Sequence, residues 1–189
     1  MKILPGFSGL LLLLPTLLSA APGRVVFEAE TAIETELPMF VVGADRVPAG
    51  SVFVEGASGG QYLEIPENAG NPPKLEKGFA RFEIDVPADG EYTLWARVWW
   101  EGECSNSFMV QIDENAPFLL GENATYHAWV WVKYPVARMM RPITLKQGRH
   151  AVTFKNREDG VRLDQIVLSP DKRFVPVDIE QVTTTGSAL

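Results

Sequence analysis

The chain has 189 residues, 46% of them hydrophobic, with a formal net charge of -7 and one cysteine. Such a charge argues against nucleic acid or an anionic membrane surface as partner, because both are bound chiefly through Lys and Arg. Cys104 stands alone, so no intrachain disulfide forms.

Lys2, an apolar stretch containing the run Gly9 to Leu14, and the small residues Ser19, Ala20 and Ala21 follow one another at the start. That is the layout of a secretory signal peptide, predicted over residues 1–21. Pro5 and Pro15 interrupt the stretch, which falls short of the roughly 20 residues a spanning helix needs. Its removal takes Lys2 and no acid, so the charge becomes -8 and about 168 residues remain. This length suits one domain whose core holds without staples. The expected product is secreted or periplasmic and monomeric, with no membrane span.

Beyond residue 21 the apolar pattern has period two. Strands are predicted at Val25 to Glu30, Met39 to Val42, Ser51 to Val54 and Gln61 to Ile65, after which the proline-rich segment Pro66 to Leu75 reads as a rim loop. The plainest strand is Ala80 to Val86, where Ala80, Phe82, Ile84 and Val86 alternate with Arg81, Glu83 and Asp85. Pro87 ends it, and Asp89-Gly90 turns the chain into a second long strand, Glu91 to Trp99. Further strands are predicted at Phe108 to Asp113, Ala128 to Val132, Arg141 to Lys146, His150 to Asn156 and Val161 to Ser169. No segment keeps a helical period. The predicted fold is all-β, a two-sheet antiparallel β-sandwich (jelly roll) over residues 22–177, followed by a flexible C-terminal tail, 178–189.

Two constellations carry chemistry. Glu28 and Glu30 lie two residues apart on the first strand, with their carboxylates on one face roughly 7 Å apart. Asp164, in Val-Arg-Leu-Asp-Gln-Ile-Val-Leu, is read on the same strand face as Ile166 and Leu168. If the first and last strands pair, the three acids meet, and hard oxygen ligands of this kind suit calcium. The competing reading leaves them solvated or paired with Arg24 and Arg162.

The second constellation is aromatic. On Glu91 to Trp100 the tryptophans Trp95 and Trp99 fall on the side opposite Tyr92, Leu94, Ala96 and Val98, and Trp129 and Trp131 repeat the two-residue spacing. An aromatic face beside polar side chains suits stacking on a sugar ring while its hydroxyls are hydrogen-bonded. The alternative packs these rings against a loop or the other sheet. Glu101, Glu103, Asn106, Tyr126, Arg157, Glu158 and Asp159 supply polar partners. No zinc, phosphate or nucleophile-elbow motif is present, and no particular pair of acids stands out for glycosidase chemistry.

Phe27-Glu28-Ala29-Glu30, the hairpin Asp89 to Arg97, the turn Gln147-Gly148-Arg149-His150 and Leu163-Asp164-Gln165-Ile166 occur in that order. Together they make the chain, from about Val25 to Pro176, resemble carbohydrate-binding modules of families 6 and 35, which are galactose-binding-like jelly rolls. The resemblance implies a structural calcium ion on Glu28, Glu30 and Asp164, with a carbonyl from the Val54 to Gly59 region. It also implies a sugar cleft on the loops, with Trp99 or Trp100, Trp129 or Trp131, and Asp159 as the equivalents, and Asn106 among the polar partners. The expected ligand is a poly- or oligosaccharide, bound without catalysis. A structural or protein-interaction module, with a protein partner and its tryptophans packed inside, is the alternative. A small glycosidase or lyase is the third.

Overall fold

A computed structural model describes residues 23–137 and 140–183. The expected signal segment and residues 184–189 lie outside the described residues. Twelve strands follow in order: β1 (Val25–Glu28), β2 (Glu34–Glu36), β3 (Phe40–Gly43), β4 (Gln61–Ile65), β5 (Phe79–Val86), β6 (Gly90–Trp100), β7 (Ser107–Ile112), β8 (Phe118–Gly121), β9 (Val130–Tyr134), β10 (Ile143–Leu145), β11 (Gly148–Lys155) and β12 (Val161–Ser169). Two 3-10 turns, Ala29–Thr31 and Ser58–Gly60, are the only helical pieces among the described residues.

The strands form two antiparallel sheets, which is the predicted sandwich. One sheet has seven strands, ordered β10-β6-β12-β4-β3, with β1 also on β12 and β9 also on β6; the other has five, ordered β2-β5-β11-β7-β8. Alternation built the five-stranded sheet as expected: Ala80, Phe82, Ile84 and Val86 of β5 are buried while Arg81, Glu83 and Asp85 face water. Between the sheets lie Trp100, Tyr92, Phe82, Phe108, Phe154, Leu63 and Leu94, all 2% exposed or less. Each such side chain contributes about 1.5–3 kcal/mol by leaving water.

The seven-stranded sheet is different, because it is covered on both faces. Every residue of β12 is buried, the pattern of a strand with apolar or ion-paired contacts on either side. On the outer face Trp95, Val26 and Val167 pack with Trp131 and Phe174. Farther along it Val42, Ala57 and Tyr62 pack with Phe40, Phe53, Val54 and Trp129.

Several boundaries differ from the sequence reading. Ser51 to Val54 is not a strand but a loop laid over Tyr62, whose hydroxyl accepts from Val54 N at 2.9 Å. The segment from Asp178 is not a loose tail through Thr183. Trp131 Nε1 donates to Asp178 O at 3.0 Å, Gln165 exchanges two bonds with Glu180, and Thr183 N donates to Val26 O at 3.1 Å. Its polar composition hid this docking, since the bonds run through backbone groups that any sequence carries.

Candidate functional site

The outer face of the seven-stranded sheet carries the unusual chemistry, and a register shift in β12 creates it. Leu163 pairs with Val98 and Gln165 with Arg97, leaving Asp164 as an extra residue. Such a β-bulge changes which face a side chain points to. Asp164 is therefore turned away from the core row of Ile166 and Leu168, where strict alternation places it, and meets Arg97: Arg97 Nη1 donates to Asp164 Oδ2 at 2.5 Å and to Gly56 O at 2.9 Å. Ser58 N donates to Asp164 Oδ1 at 2.8 Å.

The pairing of β1 with β12 brings Glu28 and Asp164 together, whereas Glu30, read two residues along the same strand, stands instead in the 3-10 turn Ala29–Thr31 that follows β1, near enough to feel both. Ser58 bridges them, since its Oγ donates to Glu28 Oε1 at 2.7 Å while its N–H serves Asp164. Gln165 Nε2 also donates to Glu28 Oε1, at 2.9 Å. The other oxygen of Glu28 and Oε2 of Glu30 are buried without a hydrogen-bond partner. Burial, with Glu28 and Asp164 nearby, pushes the Glu30 carboxyl up to about 7. Burial also raises Asp164 to about 6, against the pull of Arg97. Unmatched buried carboxylate oxygens are costly, and two of them beside a turn rich in backbone carbonyls fit a hard cation. Asp164 is already engaged by Arg97 and Ser58. Among the described residues no three His, Cys, Asp or Glu side chains are arranged to hold a metal ion by themselves.

Toward the end of the sheet where β6 leads into Glu101, a pocket of about 370 Å³ opens. Its floor is an ion pair from two neighbouring strands: Arg162 of β12 and Glu64 of β4 are directly paired in register and meet at 2.8 Å. Both side chains are more than nine-tenths buried, at 7% and 1% exposure. Arg162 also donates to Glu101 Oε2 at 2.8 Å. Burial raises the Glu64 carboxyl above the usual carboxylate range, with Arg162 pulling against it. Both carboxylate oxygens of Glu64 and Nε of Arg162 are closed to solvent, and the Ser51 hydroxyl stands beside the carboxylate.

Trp99, half-buried, lines it together with Val52, Val54, Glu67, Glu101 and His127. His127 is fixed by donating from Nε2 to Glu101 O at 2.8 Å and from its backbone to Trp100 O at 3.0 Å. Trp129 braces Trp99 edge-on, with ring centroids 5.8 Å apart, and is itself tied by its indole N–H to Glu55 O at 2.9 Å.

The structure thus separates the residues read as ligand-binding. Trp99 faces the pocket and Trp129 supports it. Trp100 is fully buried against Phe108, with its N–H on Asn123 Oδ1, and presents no face to a ligand. Its place on the core-facing parity is the reason. Trp131 lies farther down the outer face, against Trp95 and Phe174, beneath the docked C-terminal segment. Asn106 and Asp159 sit in the loops at the same end of the sandwich but do not line this pocket. Asn106 takes Glu158 on its backbone N–H, and Asp159 accepts from Gly70 N at 2.8 Å.

Glu64 and Arg162 escaped the sequence reading as site residues. The available signal was a charged residue inside each of two otherwise apolar strands. A larger cleft of about 490 Å³, between Phe118, Tyr134 and Ile143, lies at the opposite end of the sandwich. None of its lining residues carries a buried polar atom without a partner.

This architecture, two antiparallel sheets joined as a jelly roll, is also found in solved carbohydrate-binding modules. The chain is similar to the family 35 module from Clostridium thermocellum (TM-score 0.51, 15% identity, covering 79% of this chain and 99% of that one). It is also similar to the C-terminal family 6 module of LamC, a laminarinase from Zobellia galactanivorans (TM-score 0.51, 14% identity, 78% and 99%). A Podospora anserina β-(1,4)-mannanase that joins a GH26 domain to a family 35 module matches at TM-score 0.58 and 20% identity, over 84% of this chain but only 30% of that one. At these identities the likeness is one of fold. No protein-family model and no curated protein matches the sequence. Among the described residues no helix is long and apolar enough to cross a membrane.

Proposed function

We propose that this chain is an exported module that binds a poly- or oligosaccharide in the Trp99 pocket and performs no chemistry of its own. One observation carries the reading: the half-buried Trp99 indole lines a pocket together with the polar side chains of Glu67, Glu101 and His127. Sugar rings ask for that combination, an apolar surface for their C–H face and fixed acceptors and donors for their hydroxyls. The fold shared with carbohydrate-binding modules supports it. Glu64, Glu101 and Arg162 are tied to one another, which suits positioning of a ligand better than proton transfer to it.

Calcium is part of the proposal. Glu28 and Glu30 would hold it through their unpartnered oxygens, with Asp164 beside them and carbonyls of the 54–59 turn completing the shell. Its role would be to neutralise buried carboxylates and lock β1, the turn and β12 together.

The test is a glycan array probed with the protein in calcium, alongside a Trp99→Ala variant. Binding that vanishes in the variant while the melting curve stays put supports the reading. Absence of binding to every glycan overturns it in favour of a protein-interaction module, which the packing of Trp95, Trp100, Trp129 and Trp131 into the structure also suits.

A further inference from the structure

At the end of the sandwich away from Trp99, His150 of β11 stands between two acceptors. Its Nδ1 lies 2.7 Å from Asp113 Oδ2 and its Nε2 2.8 Å from Lys146 O. A carboxylate and a carbonyl oxygen only accept, and a neutral imidazole carries a single N–H. Both contacts are therefore hydrogen bonds only when the ring, 13% exposed, is doubly protonated. Each acceptor continues a wall of the 490 Å³ cleft: Asp113 follows Ile112 in the β7–β8 turn, and Lys146 follows Leu145 at the end of β10.

The two walls are not held equally. Asp113, at φ +52, takes Ala151 N on its other carboxylate oxygen at 2.9 Å and gives its own N–H to Ala151 O at 2.8 Å. β10 is a three-residue strand at the sheet edge, paired with β6. The turn after it is tied on the exposed side by Asp89, which accepts from Lys146 Nζ and Gln147 N. Other charges near the ring are engaged elsewhere or open to water: Arg149 pairs with Glu83 and Asp85 of β5, and Glu114 is exposed. Ile84, opposite His150 in register, is apolar. Burial works against a charged ring, but the bonds to Asp113 and Lys146 O outweigh it and raise the imidazole above its ordinary 6.5.

We infer that His150 is a proton-operated latch on this cleft: doubly protonated, it ties the β10–β11 turn to the β7–β8 turn, and loss of its Nε2 proton to solvent loosens β10. Nδ1 keeps its proton because the carboxylate is the stronger acceptor. The bared Nε2 lone pair then faces Lys146 O and repels it. Ile143 and Leu145 of β10 line the cleft, so that wall moves. The sign follows from a raised base: the latch is fully closed below 6.5 and opens as pH rises through the higher folded value.

The experiment is an NMR titration of the isotope-labelled protein with hydrogen exchange read at each pH. The ring is expected to be doubly protonated at pH 6.5, to titrate above it and to lose the proton from Nε2. The Lys146 carbonyl carbon should shift in the same step. Protection of the β10 amides should fall by about threefold to tenfold, the worth of one hydrogen bond, while that of β12 holds. Asp113→Asn is expected to move ring titration and loosening together to lower pH, whereas Lys146→Ala, which keeps the carbonyl, leaves the step in place. A ring already neutral at pH 6.5, a proton lost from Nδ1, or β10 protection indifferent to the titration overturns the latch. A step unmoved by Asp113→Asn, or abolished by Lys146→Ala, overturns it as well.

Discussion

Arg97 and Asp164 are joined through a fault in the strand ladder: the bulge that sets Asp164 outside the register of β12 is what brings its carboxylate to the guanidinium, 2.5 Å away. The Asp164 side chain is wholly buried and that of Arg97 is 10% exposed. Arg97 also holds Gly56 O and lies 5.3 Å from the Trp129 ring, so one side chain ties β6, β12 and the 53–57 turn to the tryptophan that braces the pocket. Removing either partner leaves the other buried and unpaired. Arg97→Ala and Asp164→Ala are each expected to cost about 3–5 kcal/mol in urea denaturation, and the double variant less than the sum.

Glu30 and Asp164 set a pH dependence with a defined sign. Their folded-state values, about 7 and about 6, lie above the ordinary 4.5 and 3.8. A raised carboxyl stabilises the fold below its unfolded value, and that stability is lost as pH rises through the folded one. In metal-free buffer the unfolding free energy should therefore fall between about pH 4 and pH 7, by an amount on the order of 2–3 kcal/mol once solvent screening of the part-exposed Glu30 is allowed for, and the melting temperature with it. Calcium should flatten this fall and raise the melt with its concentration. A melt at neutral pH that ignores both calcium and chelator removes the cation from the proposal.

The tryptophans should separate by role. Trp99→Ala is expected to abolish glycan binding with a small change in stability, whereas Trp100→Ala should cost about 3–5 kcal/mol by opening the core. Trp131→Ala should retain binding and loosen the C-terminal segment, whose Asp178 carbonyl it anchors. Acrylamide quenching of the parent protein, compared with Trp99→Ala, reads how much accessible fluorescence Trp99 provides.

Truncation after Val177 removes the bonds from Asp178, Glu180 and Thr183 to Trp131, Gln165 and β1. At about 1 kcal/mol per hydrogen bond, a loss of about 2–4 kcal/mol is expected in thermal or chemical denaturation. An unchanged melt would mean that this segment contributes nothing.

Much of the fold was legible because one rule governs it. β4 and β12 were read to the residue, and β5 within one, since apolar runs bounded by turns need no tertiary information. β2, Glu-Thr-Glu, was missed because it has no apolar residue and exists by pairing with β5. The short Phe118–Gly121 strand gave no alternation to read. At the site, the meeting of Glu28 and Asp164 followed from strand pairing, but the turn that carries Glu30 and the face of Asp164 did not, because neither a 3-10 turn nor a bulge leaves a mark in this pattern of residue types. The Glu64–Arg162 couple needed the register of β4 against β12, which no single strand contains.

The hydrogen bond from Thr183 to Val26 places the two ends of the described chain side by side. A short peptide joining them would close the backbone into a ring without redirecting any strand. New ends opened at the exposed turn around Glu114, away from the Trp99 pocket, would then give a circular permutant with the same sheets.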